Sequence, residues 1–352
     1  MNPATGILQQ DEVILTNSKD IGRIFGKSKF GTPLSKNKLR LDLIEAAFLC
    51  EEKKLIVYDL DERLDFETLI ATSASLQETF ETTYLIFRDL RHRGHQLKLL
   101  KKESLFTFYT KNQQEPDKRP SLITTFSERE PCTIQFLLSL IKQATQQELD
   151  CWLAIADEEG DTTYYELDSQ LLTGEKKSSS FKKTTGILLK DRVIIFDEKV
   201  ANSLHEKEFF GKNFGKGLQI SLVEALYLVK NKILQIQLPS GETITKQYFE
   251  NIINQRQEDI QKRYIVFNDL KKQGLIVKTG FKFGNHFRAY TTQPDKTHAQ
   301  YLVHAVSLTD TLEWAEVSRA IRLAHSVNKI FLFASIDAEK NVRYLAFKRI
   351  RP

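Results

Sequence analysis

The chain has 352 residues, 41% of them hydrophobic and 28% charged, with a formal net charge of +5. That is enough apolar material for one large domain or two to three ordinary ones, and the mild basic excess suits an anionic polymer as partner without requiring one. Its three cysteines, Cys50, Cys132 and Cys151, are far apart and form no CxxC pair, which argues against zinc ribbons and dithiol redox motifs and for reduced, packed thiols in a cytosolic protein.

At the N-terminus, MNPATGILQQDEVIL lacks a cationic start and a long apolar run, so no signal peptide is expected. No apolar run along the chain approaches the ~20 residues needed to span a bilayer. A soluble, cytoplasmic protein with no membrane partner is the expectation.

Read onward, the elements come twice. Thr5-Gly6-Ile7-Leu8 returns as Thr185-Gly186-Ile187-Leu188, and Asp11 and Val13 as Asp191 and Val193. LDLIEAAFL from Leu41 returns as ISLVEALYL from Ile220, one residue out of step. Tyr84, Phe87, Asp89, Leu90 and Gly94 meet Tyr264, Phe267, Asp269, Leu270 and Gly274. Further on, Asp157 meets Asp337 and Tyr164 meets Tyr344. A spacing of 180 residues held at both ends and the middle is a duplication of a domain-sized unit, far longer than a solenoid repeat.

The second copy reads most clearly. A hairpin, GILLKDRVIIFD, precedes a helix, ISLVEALYLVKNKIL, with apolar residues at helical spacing. One long helix is expected from about Lys246 to Lys272, stopped by Gly274 as a C-cap. Then come a strand pair, LIVKTGFKFG and HFRAYTT, a strand YLVHAV, and a helix over about Leu312 to Asn328 with Trp314, Val317, Ile321 and Ala324 on one face. Strands KIFLFASID and VRYLAFKRI finish the copy. The expected fold is α+β / α/β: a tandem duplication, each repeat a small α+β N-terminal subdomain plus an α/β C-terminal subdomain with a mixed sheet. The domains expected are 1–170 and 185–352, joined by 171–184, a Ser-, Lys- and Gly-rich stretch that reads as an exposed linker.

Tyr290, His298 and Lys329 all fall at strand ends of the second copy, where loops on a rigid sheet carry function. Each alone has an ordinary explanation, as an amphipathic strand tyrosine, a solvated loop histidine and an edge lysine. The first copy alters the weighing. Tyr290 meets Tyr109, but Lys329 meets Leu149, and His298 falls opposite the region around Lys118, which has no histidine. One copy keeps the frame and lacks two of three polar groups, the pattern of an inactive and an active repeat. Among the other histidines, His286 is set aside as the acid, His304 is read as a strand residue and His325 as a helix residue with packing or capping roles.

The stretches GFKFGNHFRAY, THAQYLVHAV and RLAHSVNKIFLFASID resemble the archaeal tRNA-splicing endonuclease family, densely over Tyr264 to Asp337 and more weakly elsewhere. The resemblance is to the branch that fuses an inactive repeat to an active one. It implies excision of introns from precursor tRNA at bulge-helix-bulge motifs by a homodimer, without cofactor or metal. Tyr290 would be the general base on the RNA 2′-OH, His298 the general acid on the departing 5′-oxygen, and Lys329 the group that stabilises the transition state. Ends bearing 2′,3′-cyclic phosphate and 5′-OH would result. A phenol ionises near pH 10 in water, so a cation close to Tyr290 is expected, with Lys329 the candidate. By the same resemblance Arg322 and Arg349, with Arg351 the near alternative, would stack on a flipped bulge base. The acidic turn Asp157, Glu158, Glu159 and Asp161 of the first copy would dock in a basic cleft of the other subunit. Two further readings remain: a non-catalytic RNA-binding or assembly subunit, and a metal-dependent nuclease built on Glu258, Asp259 and Lys262.

Overall fold

A computed structural model describes residues 2–100, 105–109, 119–295 and 297–352. It divides into two compact units, 1–130 with 139–167 and 349–352, and 131–138 with 168–348. Among the described residues no helix is long and apolar enough to cross a membrane.

Each unit begins with a six-stranded sheet of the same plan. In the first, Ala4–Gln9 lies between Glu12–Leu15 and Leu55–Asp59; in the second, Thr184–Leu188 lies between Arg192–Ile195 and Leu234–Gln237. Against each packs a short helix, Leu43–Glu51 or Leu222–Lys230, started by a capping box: Asp42 with Glu45, and Ser221 with Glu224. Both glutamates also accept the amide of a left-handed glycine, Gly31 or Gly211. Burial, the largest effect on it, raises the Glu45 carboxyl to about 7.

The expected long helix is two helices in each copy. In the second unit Lys246–Arg256 ends at Gln257, which is extended, and Ile260–Lys272 (α1) starts afresh after Asp259; in the first, Phe66–Leu76 and Phe80–His92 break likewise. Phe249 and Ile253 before the break and Ile260 after it are each fully buried. Asp259 does not cap α1; it pairs with Arg263 at 2.5 Å and His286 at 3.3 Å instead. Helical periodicity continues across the break, and for that reason the break is invisible in the apolar pattern.

The rest of the second unit is the mixed sheet expected: Ile276–Thr279 (β1), Phe287–Tyr290 (β2), Tyr301–Ser307 (β3), Ile330–Ile336 (β4) and Val342–Ile350 (β5), hydrogen-bonded in that order. All neighbours are antiparallel except β3 and β4, which run parallel through the crossover helix Trp314–Ser326 (α2). The stretch GFKFG, expected as strand, is a 3-10 turn, Phe281–Phe283, closed by Gly284 in the left-handed region. The core of this unit is continuous: α1 lays Val266, Phe267 and Leu270 on Val277, Phe287, Ala289, Val303, Ala305, Leu332 and Ala334 of the sheet, and the same cluster runs into the N-terminal subdomain. The two internal matches noted in sequence are one bond made twice. Tyr344 donates to Asp269 and Tyr164 to Asp89, each at 2.6 Å; burial first, then the carboxylate, pushes both phenols up.

The segment between the repeats is mostly exposed in its side chains, but its backbone is anchored. Gly174 and Lys176 donate to the carbonyls of Gln273 and Gly274, and Glu175 to that of Thr291, at 2.8–3.0 Å. Ser179 donates its amide at 2.7 Å to Glu208, which forms a buried 2.6 Å ion pair with Lys271. A Cβ on Gly174 would lie 2.1 Å from the carbonyl oxygen of Gly274. Gly174→Ala is expected to destabilise the protein by about 1–3 kcal/mol, the usual cost of overpacking. Calorimetry checks this; an unchanged melting temperature would mean that the segment is not held.

Candidate functional site

Tyr290, His298 and Lys329 are brought to one end of three consecutive strands. The agent is Gln300, just before β3. Its amide donates to the carbonyl of Ala289 at 3.2 Å, and its carbonyl accepts the amide of Ile330 at 2.9 Å. Its side-chain oxygen also accepts the amide of Thr291 at 3.0 Å. Tyr290 closes β2, His298 stands two residues before Gln300, and Lys329 precedes the residue Gln300 binds. With strands ~4.8 Å apart, the three backbones share a mouth about 10 Å wide.

Each position has a local cause. Tyr290 pairs with Ile276 across β1 and is buried against Ile276 and Ala299, with Phe209 behind. Arg288 sets its guanidinium 5.8 Å from the centre of the Tyr290 ring. Its position and type went unnoticed in the sequence, where Lys329 was the expected cation. His298 is exposed, in a loop whose ends are tied by the Thr292–Thr297 hydroxyl bond of 2.8 Å. Lys329 follows α2 through Asn328, which takes the left-handed conformation at φ 52° that asparagine tolerates better than most residues. This turn joins helix to strand without a spacer. The Lys329 ammonium donates to the Val327 carbonyl at 3.1 Å and lies 5.7 Å from the centre of the Phe283 ring. Phe283 was missed too; the glycines Gly280 and Gly284 bracketing FKF were the available sign of a turn rather than a strand.

Much of the same frame recurs in the first copy, with Tyr109 at the place of Tyr290 and Leu149 at that of Lys329. Leu149 makes the amide bond to Ala144 that Lys329 makes to Ala324, both 2.9 Å, after Glu148 in the left-handed region. Tyr109 closes the strand Leu105–Tyr109 and pairs with Gln96 as Tyr290 pairs with Ile276. Lys118 lies outside the described residues.

The other three histidines near the site in sequence have separate surroundings. His286 accepts the Ala305 amide on Nδ1 at 2.9 Å, with Nε2 at 3.3 Å from Asp259 and its ring stacked 4.1 Å from that of His304. Burial, above the charge effects of His304 and Arg263, lowers it to about 3, so it is neutral. Burial also lowers His304, a β3 residue. His325 is exposed in the last turn of α2.

Arg322 is exposed on α2, and Arg349 is exposed near the end of β5, within the other compact unit; Arg351 follows it, also exposed. Asp157, Glu158, Glu159 and Asp161 form the turn of the hairpin Asp150–Ala156/Thr162–Gln170 and are all exposed. They are not equivalent. The Asp157 carboxylate accepts the amides of Glu159 and Asp161 at 3.1 and 2.9 Å, building the turn itself, as Asp337 does for Asn341 in the second copy. Glu158 pairs with Arg129. Asp259 and Lys262 are engaged apart, Asp259 with Arg263 and His286, Lys262 with Asp310 at 3.0 Å. Among the described residues no three His, Cys, Asp or Glu side chains are grouped to hold a metal ion.

Comparison with known proteins agrees with the duplication. The model for the tRNA intron endonuclease N-terminal domain matches residues 4–70 and 184–249, and that for the catalytic C-terminal domain matches 80–164 and 260–344. The catalytic-domain model thus matches both copies. Among relatives named tRNA-splicing endonuclease, that of Methanococcoides burtonii is 32% identical over 346 residues, 96% of this chain and 97% of the relative. That of Methanosarcina acetivorans is 30% identical over 345 residues, again 96% and 97%. The Methanothermobacter thermautotrophicus protein is 36% identical over 172 residues, 99% of its length but 48% of this chain, as expected of a one-repeat relative. Matched along both halves by both domain models, the chain belongs to the tRNA intron endonuclease family.

Proposed function

We propose that this chain is an endoribonuclease that excises introns from precursor tRNA at bulge-helix-bulge motifs, using the second copy as its catalytic repeat and the first as a structural one. The observation that supports the reading is the Gln300 bridge, which ties together the backbone ends that carry Tyr290, His298 and Lys329, in the copy where all three residues exist.

RNA brings its own nucleophile. Tyr290 takes the proton of the 2′-OH, and the 2′-oxygen attacks the adjacent phosphorus. The bond from phosphorus to the 5′-oxygen breaks as His298 donates a proton to that oxygen. Lys329 offsets the charge gathered on the phosphoryl oxygens in between. The products carry a 2′,3′-cyclic phosphate and a 5′-OH, and the steps are complete with side chains alone. Arg322, exposed on α2 seven residues before Lys329, offers a flat cation to a flipped bulge base, with Arg349 or Arg351 as its partner. The acidic turn fits the assembly of a homodimer, in which carboxylates of one subunit anchor in a basic cleft of the other. The reading of a non-catalytic RNA-binding subunit is disfavoured by the intact set of Tyr290, His298 and Lys329.

Three outcomes are expected. Intron-containing precursor tRNA incubated with the protein in EDTA is cut at both borders, leaving cyclic phosphate ends; 3′-OH products, or loss of cutting on chelation, overturn the chemistry. His298→Ala and Lys329→Ala each slow single-turnover cleavage by about 10² or more. Arg322→Ala weakens productive binding and Arg322→Lys does not restore it, since lysine lacks the flat face; a fully active lysine variant removes the stacking role.

For assembly, the informative residues are Glu159 and Asp161, because Asp157 is committed to the turn and Glu158 to Arg129. Glu159→Lys with Asp161→Lys is expected to give inactive monomers by light scattering and cleavage assay on one sample. A charge-reversed protein that remains dimeric and active would reduce the turn to a polar connection.

A further inference from the structure

Arg288 leaves β2 two residues before Tyr290, on the face opposite the one that Phe287 and Ala289 bury in the core. It is half-buried. Its Nε is shut off from solvent and has no hydrogen-bond partner among the described residues, and no carboxylate there pairs with the guanidinium. The contact it does make is with the Tyr290 ring, at 5.8 Å. Directly across the strand pair, in register, stands a second cation, Lys278. The Lys278 ammonium is occupied: it donates to the carbonyls of Phe209 and Gly211, both at 2.6 Å. Burial lowers its pKa most; the Glu224 carboxylate opposes the shift and Arg288 adds to it.

This arrangement is poor for stability. Like charges directly opposed across two strands repel, and a half-buried guanidinium without an acid keeps an uncompensated desolvation cost. The first copy shows that the frame does not require it. There the register-equivalent pair is Lys98 and Thr107, so the lysine is retained and the arginine is a buried threonine. The unpaired arginine therefore occurs only in the copy that also has His298 and Lys329.

We infer that Arg288 is a phosphate-binding residue of the Tyr290 site, whose terminal Nη N–H groups take the non-bridging oxygens of an RNA backbone phosphate at or beside the bond to be cut. A guanidinium is suited to this because its parallel N–H groups match two oxygens of one phosphate. Proximity to Tyr290 favours phosphate over a carboxylate from a second copy of the chain. The inference rests on the RNA-cleaving reading above and adds the group that seats the scissile region against the base.

The test uses Arg288→Gln and Arg288→Lys in the full chain, with thermal midpoint, oligomeric state, single-turnover cleavage, and the salt dependence of binding to a precursor RNA made uncleavable by 2′-deoxy substitution at the cut sites. Arg288→Gln should melt at or above the wild type, since it removes a repulsion. It should cleave about 10²-fold more slowly, the loss typical of one charge-stabilising donor, and lower the salt slope of binding by about one unit. Arg288→Lys should recover only part of the rate. A lower melting temperature with an unchanged salt slope would make Arg288 structural; loss of the wild-type oligomer would assign its anion to a second copy; wild-type cleavage and salt slope would leave it no role. If the wild type itself leaves precursor tRNA uncut but Arg288→Gln still lowers the salt slope, the cleavage reading fails while the phosphate site stands.

Discussion

The parallel pairing of Tyr301–Ser307 with Ile330–Ile336, in register from Tyr301 opposite Ile330 to Ser307 opposite Ile336, is the constraint on which the rest depends. Parallel neighbours begin at the same end of a sheet, so the residues that precede them emerge side by side. His298 and Lys329 are those residues. The antiparallel strand before them ends where they begin, which brings Tyr290 to the same place. No loop has to reach across the protein to assemble the site. The crossover helix that parallel pairing demands presents Arg322 from the same connection that delivers Lys329, and Asn328 in the left-handed region keeps that connection short.

The comparison of the two copies is informative because the frame is repeated almost bond for bond. The Tyr–Asp bonds, the glutamates closing their capping boxes onto left-handed glycines, and the helix-to-strand turn before Leu149 and Lys329 recur. Among the described residues, the side chains that differ at matching positions include Leu149 for Lys329 and Thr107 for Arg288.

Much of this was legible in the sequence. Spacing alone exposes the duplication, and it matches Asp89 and Tyr164 with Asp269 and Tyr344, the residues that share one hydrogen bond in each copy. Strand ends and the difference between copies single out Tyr290, His298 and Lys329, whose backbones lie at neighbouring strand ends. What escaped has physical reasons. The break at Gln257 is hidden because Ile253 and Ile260 keep the apolar period across it. GFKFG has the composition of a strand, and its turn is fixed by Gly284 and by backbone contacts made only in the folded chain. Nothing in the sequence marks Arg288, since the absence of an acid near it is a fact of three dimensions. The roles of four adjacent acids cannot be divided by type either; Asp157 differs from Asp161 only in which amides lie within its reach.

The segment between the repeats has a meaning for how such a chain tolerates change. Composition marks 171–184 as a tether, and tethers are ordinarily free to vary in length. Here Gly174 and Gly274 approach so closely that neither has room for a side chain, and the amide of Glu175 is spent on the carbonyl of Thr291, the residue after Tyr290. The join left by fusing two copies end to end has become part of the wall behind the second copy's strand mouth. Insertions are therefore accommodated on one side of this strap, among the exposed residues around Ser178 and Ser180, and not at Gly174–Lys176, where an added residue would shift every amide that holds the loop in place. The connector is thus two segments with different freedoms, one a spacer and the other a fixed piece of the second copy contributed from outside its own fold boundary.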